Sequence, residues 1–420
     1  MTNDLPCGWV QATFGDIADV QLGRQRSPQH HSGSHMRPYL RAANVTWNGV
    51  SLDDVKEMNF DDRDFETYRL EPGDLLLNEA SGSPSEVGKP AIWRGEIEDC
   101  CFQNTLLRLR PRGIDVGYLY WYCFYSALTG RFGEAGRGVN IRHIGKRGLT
   151  RFPIAVAPRV EQERIVAAIE EHFSRLDAAE NALASAQRKV AAVLRAVVDE
   201  ACCGSWDAVP LVEVITSLRN GVFVSRPAPG PPGRPIYRIS AVRPLRLRIN
   251  DVRYAHPEPQ RADDYAVASG DLLFTRYSGN PSYVGAAAVV NEAGHGVLHP
   301  DKLIRVVADK TRVLPEWIAA YVSVGEGRRQ VEQRSKTTAG QIGISGHQLK
   351  SVPIAVPPLD YQRWAAASIS AVMACQDRTE QDLAKLRDKM SALRRSILAS
   401  AFAGQLIRQD PDDESVFVLS

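Results

Sequence analysis

The sequence predicts an α+β protein made of two mixed α/β globules, each followed by a long helix, with the two helices pairing as a coiled coil. Three observations carry this prediction. The 420-residue chain is 44% hydrophobic and 24% charged, the balance of a soluble protein with more than one domain. A unit of about 200 residues is written twice. Each copy ends in a stretch whose apolar side chains recur every seven residues.

The repeat is read by sliding the chain along itself. A shift of 197 residues lays Pro72–Gly88 over Ser269–Gly285, with Gly, Asp, Leu, Leu, Ser, Gly, Pro, Ser, Val and Gly returning in place. The same shift pairs Trp9 with Trp206, Pro38 with Pro235, Arg41 with Arg238, Val45 with Val242, and Leu106 and Arg108 with Leu303 and Arg305. At a shift of 200, Pro153-Ile154-Ala155-Val156 returns as Pro353-Ile354-Ala355-Val356, followed by Pro158/Pro358 and Gln162/Gln362.

In chain order, residues 1–155 carry short β-type runs such as Asp74–Leu77, Ala91–Trp93 and Leu106–Leu109, punctuated by Gly, Pro, Asn and Ser. Residues 156–203 switch to helical spacing. There Ile169, Leu176, Leu183, Val190 and Val197 form the heptad row, with Ile165, Phe173, Ala179, Ala186, Val193 and Leu194 beside it. Residues 204–355 repeat the globule, and 356–405 the helix. In the second helix Ile369, Leu383, Met390 and Ile397 hold the row, Val372, Leu386 and Leu393 flank it, and Gln376 and Thr379 interrupt it. Ala157-Pro158 and Pro357-Pro358 stop the preceding strand and permit a helix to start. At 1.5 Å per residue, such helices of about 40 residues would be on the order of 60 Å long, suited to act as spacers. Pairing could be antiparallel, with the globules at opposite ends, or parallel, with them side by side. Residues 406–420 are expected to form a disordered acidic tail.

Composition excludes several classes. No run approaches the roughly 20 apolar residues of a membrane span, and Met1–Trp9 lacks the basic patch and apolar run of a signal peptide, so a cytoplasmic protein without membrane contact is expected. Cys7, Cys100, Cys101, Cys123, Cys202, Cys203 and Cys375 contain no Cys-x-x-Cys pair and read as reduced and structural. His30, His31 and His35 could hold a metal, but the flanking Gln29, Ser32, Gly33 and Ser34 favour a polar loop, and no metal site is expected. Gly82 to Lys89 superficially resembles a phosphate loop. Its spacing is one residue too long, Pro90 replaces the required Ser/Thr, and the second copy has Ala286 for the lysine. Neither a methyltransferase Asn/Asp-Pro-Pro-Tyr/Phe motif nor a dinucleotide loop nor a nucleophile elbow occurs, so no catalytic residue and no cofactor of the chain's own is expected.

A net charge of +2 exerts no global pull toward nucleic acid, and the local distribution is what matters. From Arg219 to Arg253 eight arginines face one acid, Asp251. From Arg131 to Arg151 there are Arg131, Arg137, Arg142, Lys146, Arg147 and Arg151, opposed only by Glu134 and interleaved with Asn140 and His143. The second copy adds Arg328, Arg329, Arg334 and Lys336. A solvated basic face would explain one such run. Basic runs in Gly-rich segments of both copies favour nucleic acid, because the arginine fork donates paired hydrogen bonds to phosphates and guanine edges. The turns Ser81-Gly82-Ser83-Pro84 and Ser278-Gly279-Asn280-Pro281 are a second candidate contact, or plain β-turns. The copies differ at Asn78-Glu79-Ala80 against Thr275-Arg276-Tyr277 and at Glu86 against Tyr283, where a shared scaffold could present different readers. The candidate DNA contacts are therefore Arg41, Asn78, Ser81, Ser83, Arg137, Asn140, Arg142 and His143 in the first copy. In the second they are Arg238, Arg243, Arg276, Tyr277, Ser278, Asn280, Arg334 and Lys336.

This arrangement resembles the DNA specificity subunit of type I restriction-modification systems. The likeness covers nearly the whole chain and rests on the doubled globule–helix order, the two Gly-Asp-Leu-Leu segments with their Ser-Gly turns and Val-Gly steps, and the two Pro-Ile-Ala-Val segments leading to Gln162 and Gln362. It implies that the globules are target recognition domains related by a pseudo-twofold axis, each reading half of a bipartite asymmetric site in double-stranded DNA. The helices would form an antiparallel coiled coil that sets the spacer. It further implies two methyltransferase subunits docked on the helical regions and restriction/translocase subunits joining them, with S-adenosylmethionine, ATP and Mg belonging to those partners. A specificity subunit of a related phage-defence assembly would share the DNA-reading role, whereas a coiled-coil protein scaffold would not bind DNA. An enzyme with an unrecognised site is the remaining reading.

Overall fold

The structure, a computed structural model, describes residues 5–81, 86–135, 142–256, 258–338, 341–410 and 413. The internal repeat returns as a repeated sheet. In the first copy β1 (Ala18–Leu22), β2 (Leu75–Asn78), β3 (Pro90–Ile92) and β4 (Leu106–Pro111) form an antiparallel sheet in the order β1-β4-β2-β3. In the second, β5 (Ile215–Asn220), β6 (Leu272–Thr275), β7 (Ala287–Val289) and β8 (Leu303–Ala308) take the same order, β5-β8-β6-β7.

The recurring Gly-Asp-Leu-Leu segment is the turn into the central strand. Gly73 and Gly270 sit at φ +95° and +86°, a region that penalises a Cβ. The following aspartate carboxylate accepts a backbone N–H three residues back, from Glu71 and from Ala268, each at 2.7 Å. It also pairs with an arginine on the neighbouring strand, Arg110 for Asp74 and Arg305 for Asp271. The leucines are apolar without alternation because both faces of the strand are covered. Leu75 and Leu77 enter one core cluster and Leu76 another, as Leu272 and Phe274 enter one and Leu273 another.

The Pro-Ile-Ala-Val segments close each globule. Pro153–Val156 pairs antiparallel with Val10–Thr13, and Pro353–Ala355 with Ala208–Pro210. The recurring glutamine then ties the start of each long helix to its globule. Gln162 Oε1 accepts from Asp115 N–H at 2.8 Å while its amide donates to the Ala157 carbonyl, and Gln362 does the same with Leu314 N–H and the Pro357 carbonyl.

The long helices run Arg159–Cys202 and Leu359–Phe402. The chain divides into two compact units, and each combines one globule with part of both helices: Met1–Ala182 with Ala384–Ser420, and Leu183–Leu383. In the first unit Ile397, Leu398 and Ala401 share a core with Ile165, Ile169 and Phe173, and Arg394 pairs with Asp177 and Glu180. In the second, Val198 and Ala201 share a core with Ala365 and Ile369, and Tyr361 Oη donates to the Ala201 carbonyl at 3.0 Å. Early residues of one helix meet late residues of the other in both units, so the pairing is antiparallel.

The seam is narrower than the heptad pattern predicts. Leu383, Met390 and Ile397 are buried, but Leu386 and Leu393 are 41% and 49% exposed, and Val193 is 54% exposed. In the row three residues after the main one, Val372 and Thr379 are half-buried, while Leu386 and Leu393 are turned to solvent. Leu176, Leu183, Val190 and Val197 are half-buried, and Val198 rather than Val197 is enclosed. Gln376 and Thr379 bond within their own helix, to Glu380 and to the Cys375 carbonyl. The expected loose tail also needs correction. Leu406 and Ile407 pack on the first core and Asp413 pairs with Arg164, while residues 411–412 and 414–420 lie outside the described residues. No helix of the described residues is long and apolar enough to cross a membrane.

Candidate nucleic-acid interface

The structure joins two features that the sequence presents separately. In the first globule, Ala80–Ser81, just after β2, pairs with Arg142–His143 from the basic run, Ser81 opposite Arg142 and Ala80 opposite His143. In the second, Tyr277–Ser278, just after β6, pairs with Gln341–Gly343, which pairs in turn with Lys336–Thr338. Each globule therefore attaches the segment leaving its central strand to a basic segment that is far away in sequence.

Around this junction the first globule exposes His143, whose Nδ1 lies 2.9 Å from Glu79 Oε2, and a concavity lined by His143, Lys146, Arg147 and Arg151. Lys146 Nζ donates to Gln21 Oε1 at 3.0 Å. Ser83, Arg137 and Asn140 lie outside the described residues. In the second globule the Arg243 guanidinium stacks over the Tyr283 ring at 4.6 Å and Arg276 over Tyr277 at 4.8 Å. Such stacking holds a cation in place while leaving N–H groups free for an acceptor. Asn280 shapes the turn instead, its side-chain oxygen accepting from Ser282 N–H at 3.0 Å. Lys336 is exposed.

Several candidates are occupied with holding the frame. Arg41 pairs with Asp54, and Arg238 with Asp251 at 3.2 Å; both arginines precede a short 3-10 turn. Arg334 bonds to Gln330 and to Ser351 Oγ at the end of its helix. Asn78 is corrected as a surface reader: it is 4% exposed at the end of β2, because the position closing a strand covered on both faces is interior. Its counterpart Thr275 is 1% exposed.

Residues that sequence reasoning does not single out include Lys302 and Ser240, which join Arg243, Thr275, Tyr277, Ser278 and Tyr283 around one concavity. Spacing could not have found them, since they come from three separated segments. Among the described residues no group of three His, Cys, Asp or Glu could hold a metal, and His30 lies against the Arg24 guanidinium. Burial pushes the thiols of Cys100 and Cys101 up to about 12, which keeps them protonated and inert.

No protein-family model matches the chain. The EcoKI type I restriction enzyme specificity subunit of Escherichia coli K12 is 29% identical over 426 residues, which cover 96% of this chain and 90% of that protein. The StySPI specificity subunit of Salmonella potsdam is 23% identical over 424 residues with the same coverage. A chain of a type I R-M system assembly superposes with a TM-score of 0.71 at 17% identity, spanning 96% of this chain and all of that one. The HsdS subunit of Thermoanaerobacter tengcongensis does so with a TM-score of 0.52 at 18% identity, spanning 96% and 98%. The two structures share the fold, and the two sequence relatives match from end to end through both copies of the repeat. On that continuous likeness the chain is similar over nearly its whole length to the specificity subunits of type I restriction enzymes.

Proposed function

We propose that this chain reads a bipartite, asymmetric site in double-stranded DNA, one half with each globule, and contributes no catalytic group of its own. The observation that carries the proposal is the doubled junction: in both globules the segment after the central strand is paired with a basic segment. Lysines and arginines of those segments would hold the duplex through its phosphates, a salt-dependent contact without sequence information. Polar side chains at the junction would then test base edges in the grooves. Because the junction residues differ, Ala80 against Tyr277 and Glu79 against Arg276, the halves would carry different letters.

The antiparallel helices would fix the distance between the half-sites and carry two methyltransferase subunits, with restriction/translocase subunits completing the assembly. The exposed Leu386 and Leu393 give the second helix apolar surface of the kind that partner contacts use. S-adenosylmethionine, ATP and Mg would serve those partners. The adenines to be methylated must leave the base stack, so this chain's part is to place the duplex for that step.

Adenine-methylation sequencing of a host expressing the chain with its methyltransferase, against the same host without the chain, tests this. A split asymmetric motif that disappears with the chain is expected. Methylation indifferent to the chain would refute the reading.

A further inference from the structure

We propose that the second globule contains an anion pocket that grips one phosphate group of the DNA backbone and that the first globule lacks. The inference rests on the DNA-reading role above and adds how one half-site is held. The pocket is a concavity of about 220 Å³ lined by Ser240, Arg243, Thr275, Tyr277, Tyr283 and Lys302, with the Ser278–Gly279 turn at its rim.

Four observations fit an anion. Among the described residues no carboxylate lines the concavity, although the chain carries nearly as many acids as bases. Its two cations are not neutralised. Arg243 donates to the carbonyl of its neighbour Val242 at 2.8 Å and stacks on Tyr283, and Lys302 is exposed with no polar side-chain partner among the described residues. Two enclosed hydroxyl oxygens, Thr275 Oγ1 and Ser240 Oγ, have no hydrogen-bond partner among the described residues, and Thr275 is only 1% exposed. An unpartnered buried hydroxyl is costly, so two at one concavity fit a ligand that completes them. Finally, the volume falls below the roughly 300 Å³ at which pockets for drug-sized ligands begin, which suits a phosphate group better than a flipped base.

The repeat supplies an internal control. At the positions of Arg243, Lys302, Tyr277 and Tyr283 the first copy has Thr46, Thr105, Ala80 and Glu86. Glu86 accepts from Trp47 Nε1 at 2.9 Å and contacts Lys89 Nζ, so an ion-paired carboxylate stands where the second copy presents an aromatic ring under an arginine. An acid at that place repels phosphate. The two globules would therefore grip the backbone differently.

The test measures binding of the full-length chain to a random-sequence DNA duplex as salt is raised. The wild-type chain should show log affinity falling linearly with log salt. Arg243→Ala and Lys302→Glu should each lower the slope by roughly 1, and Lys302→Glu, at an exposed side chain, leaves the fold intact. Thr275→Val, which keeps shape and removes the hydroxyl, should weaken binding about tenfold without changing the slope. Slopes and affinities unchanged in all three variants would overturn the pocket while leaving DNA binding standing. A changed methylation motif with an unchanged slope would overturn the phosphate assignment in favour of base reading. A wild-type chain with no salt-dependent affinity would overturn the DNA-reading role itself.

Discussion

Where the first globule buries the Phe102 ring, the second buries His299, and the backbone around them is the same. Arg24 N–H donates to the Phe102 carbonyl, and Val222 N–H to that of His299, at the same step of the two sheets. Glycines, aspartates and strand-closing prolines are kept between the copies, while buried and half-buried positions have been exchanged for side chains of different chemistry. The frame tolerates this because its geometry is set by turns and backbone pairing, so the copies can diverge in charge and titration without diverging in fold.

That difference can be broken open most forcefully at the aspartates of the two Gly-Asp-Leu-Leu turns. Asp271 is 3% exposed and is the carboxylate paired with Arg305, whereas Arg110, the partner of Asp74, also reaches Glu71 at 3.0 Å. Asp271→Ala is expected to cost about 3–5 kcal/mol by stranding a largely buried guanidinium, and Asp74→Ala clearly less, because Arg110 keeps a partner. Urea unfolding of the two variants measures this. Equal losses would show that the arginine pairs do not distinguish the copies.

The His299 exchange sharpens the comparison along pH. Burial lowers its pKa from the ordinary 6.5 to about 4, outweighing the opposing contact of its Nδ1 with the Tyr265 carbonyl at 2.6 Å, so burial keeps the ring neutral. A pKa depressed in the folded state means that protonation favours unfolding. Its contribution is complete above about 6.5 and is lost as pH falls toward 4, about 3 kcal/mol in all. Hydrogen exchange, corrected for its intrinsic pH dependence, should show β5–β8 loosening on acidification more than β1–β4. His299→Phe, which installs the first copy's residue, should remove much of that excess. If it leaves the acid sensitivity unchanged, another group is responsible.

The smallest effect tests where the copies agree. Gln162→Leu and Gln362→Leu each remove two matched hydrogen bonds at a helix start, the second also one to the Arg312 carbonyl, and should each cost about 1–3 kcal/mol. A large disparity between them would mean that the helix attachments are not equivalent.

The parts on which the copies agree are the parts legible in the sequence. Gly-Asp-Leu-Leu, Val-Gly, Pro-Ile-Ala-Val and Gln162/Gln362 recur because each serves the backbone, by supplying a positive φ, a strand that closes the globule or a clamp on a helix. What stays illegible depends on direction and partnership. Leu386 and Leu393 obey the heptad spacing yet face solvent, since spacing does not say which neighbour arrives. Asn78 reads as a reader beside a polar turn, but both faces of its strand are covered. Arg41 and Arg238 read as free bases, although Asp54 and Asp251 recur thirteen residues later and pair with them. The concavity around Arg243 and Lys302 gathers residues from segments that only the fold brings together.

One frame with two independent readers should come apart in methylation sequencing of a host whose chain has residues 204–355 replaced by the matching segment of a type I specificity subunit such as that of EcoKI. The expected result is a methylated motif in which one half changes, the other half keeps its letters and the spacer keeps its length. A motif altered in both halves, or unaltered in either, would contradict it.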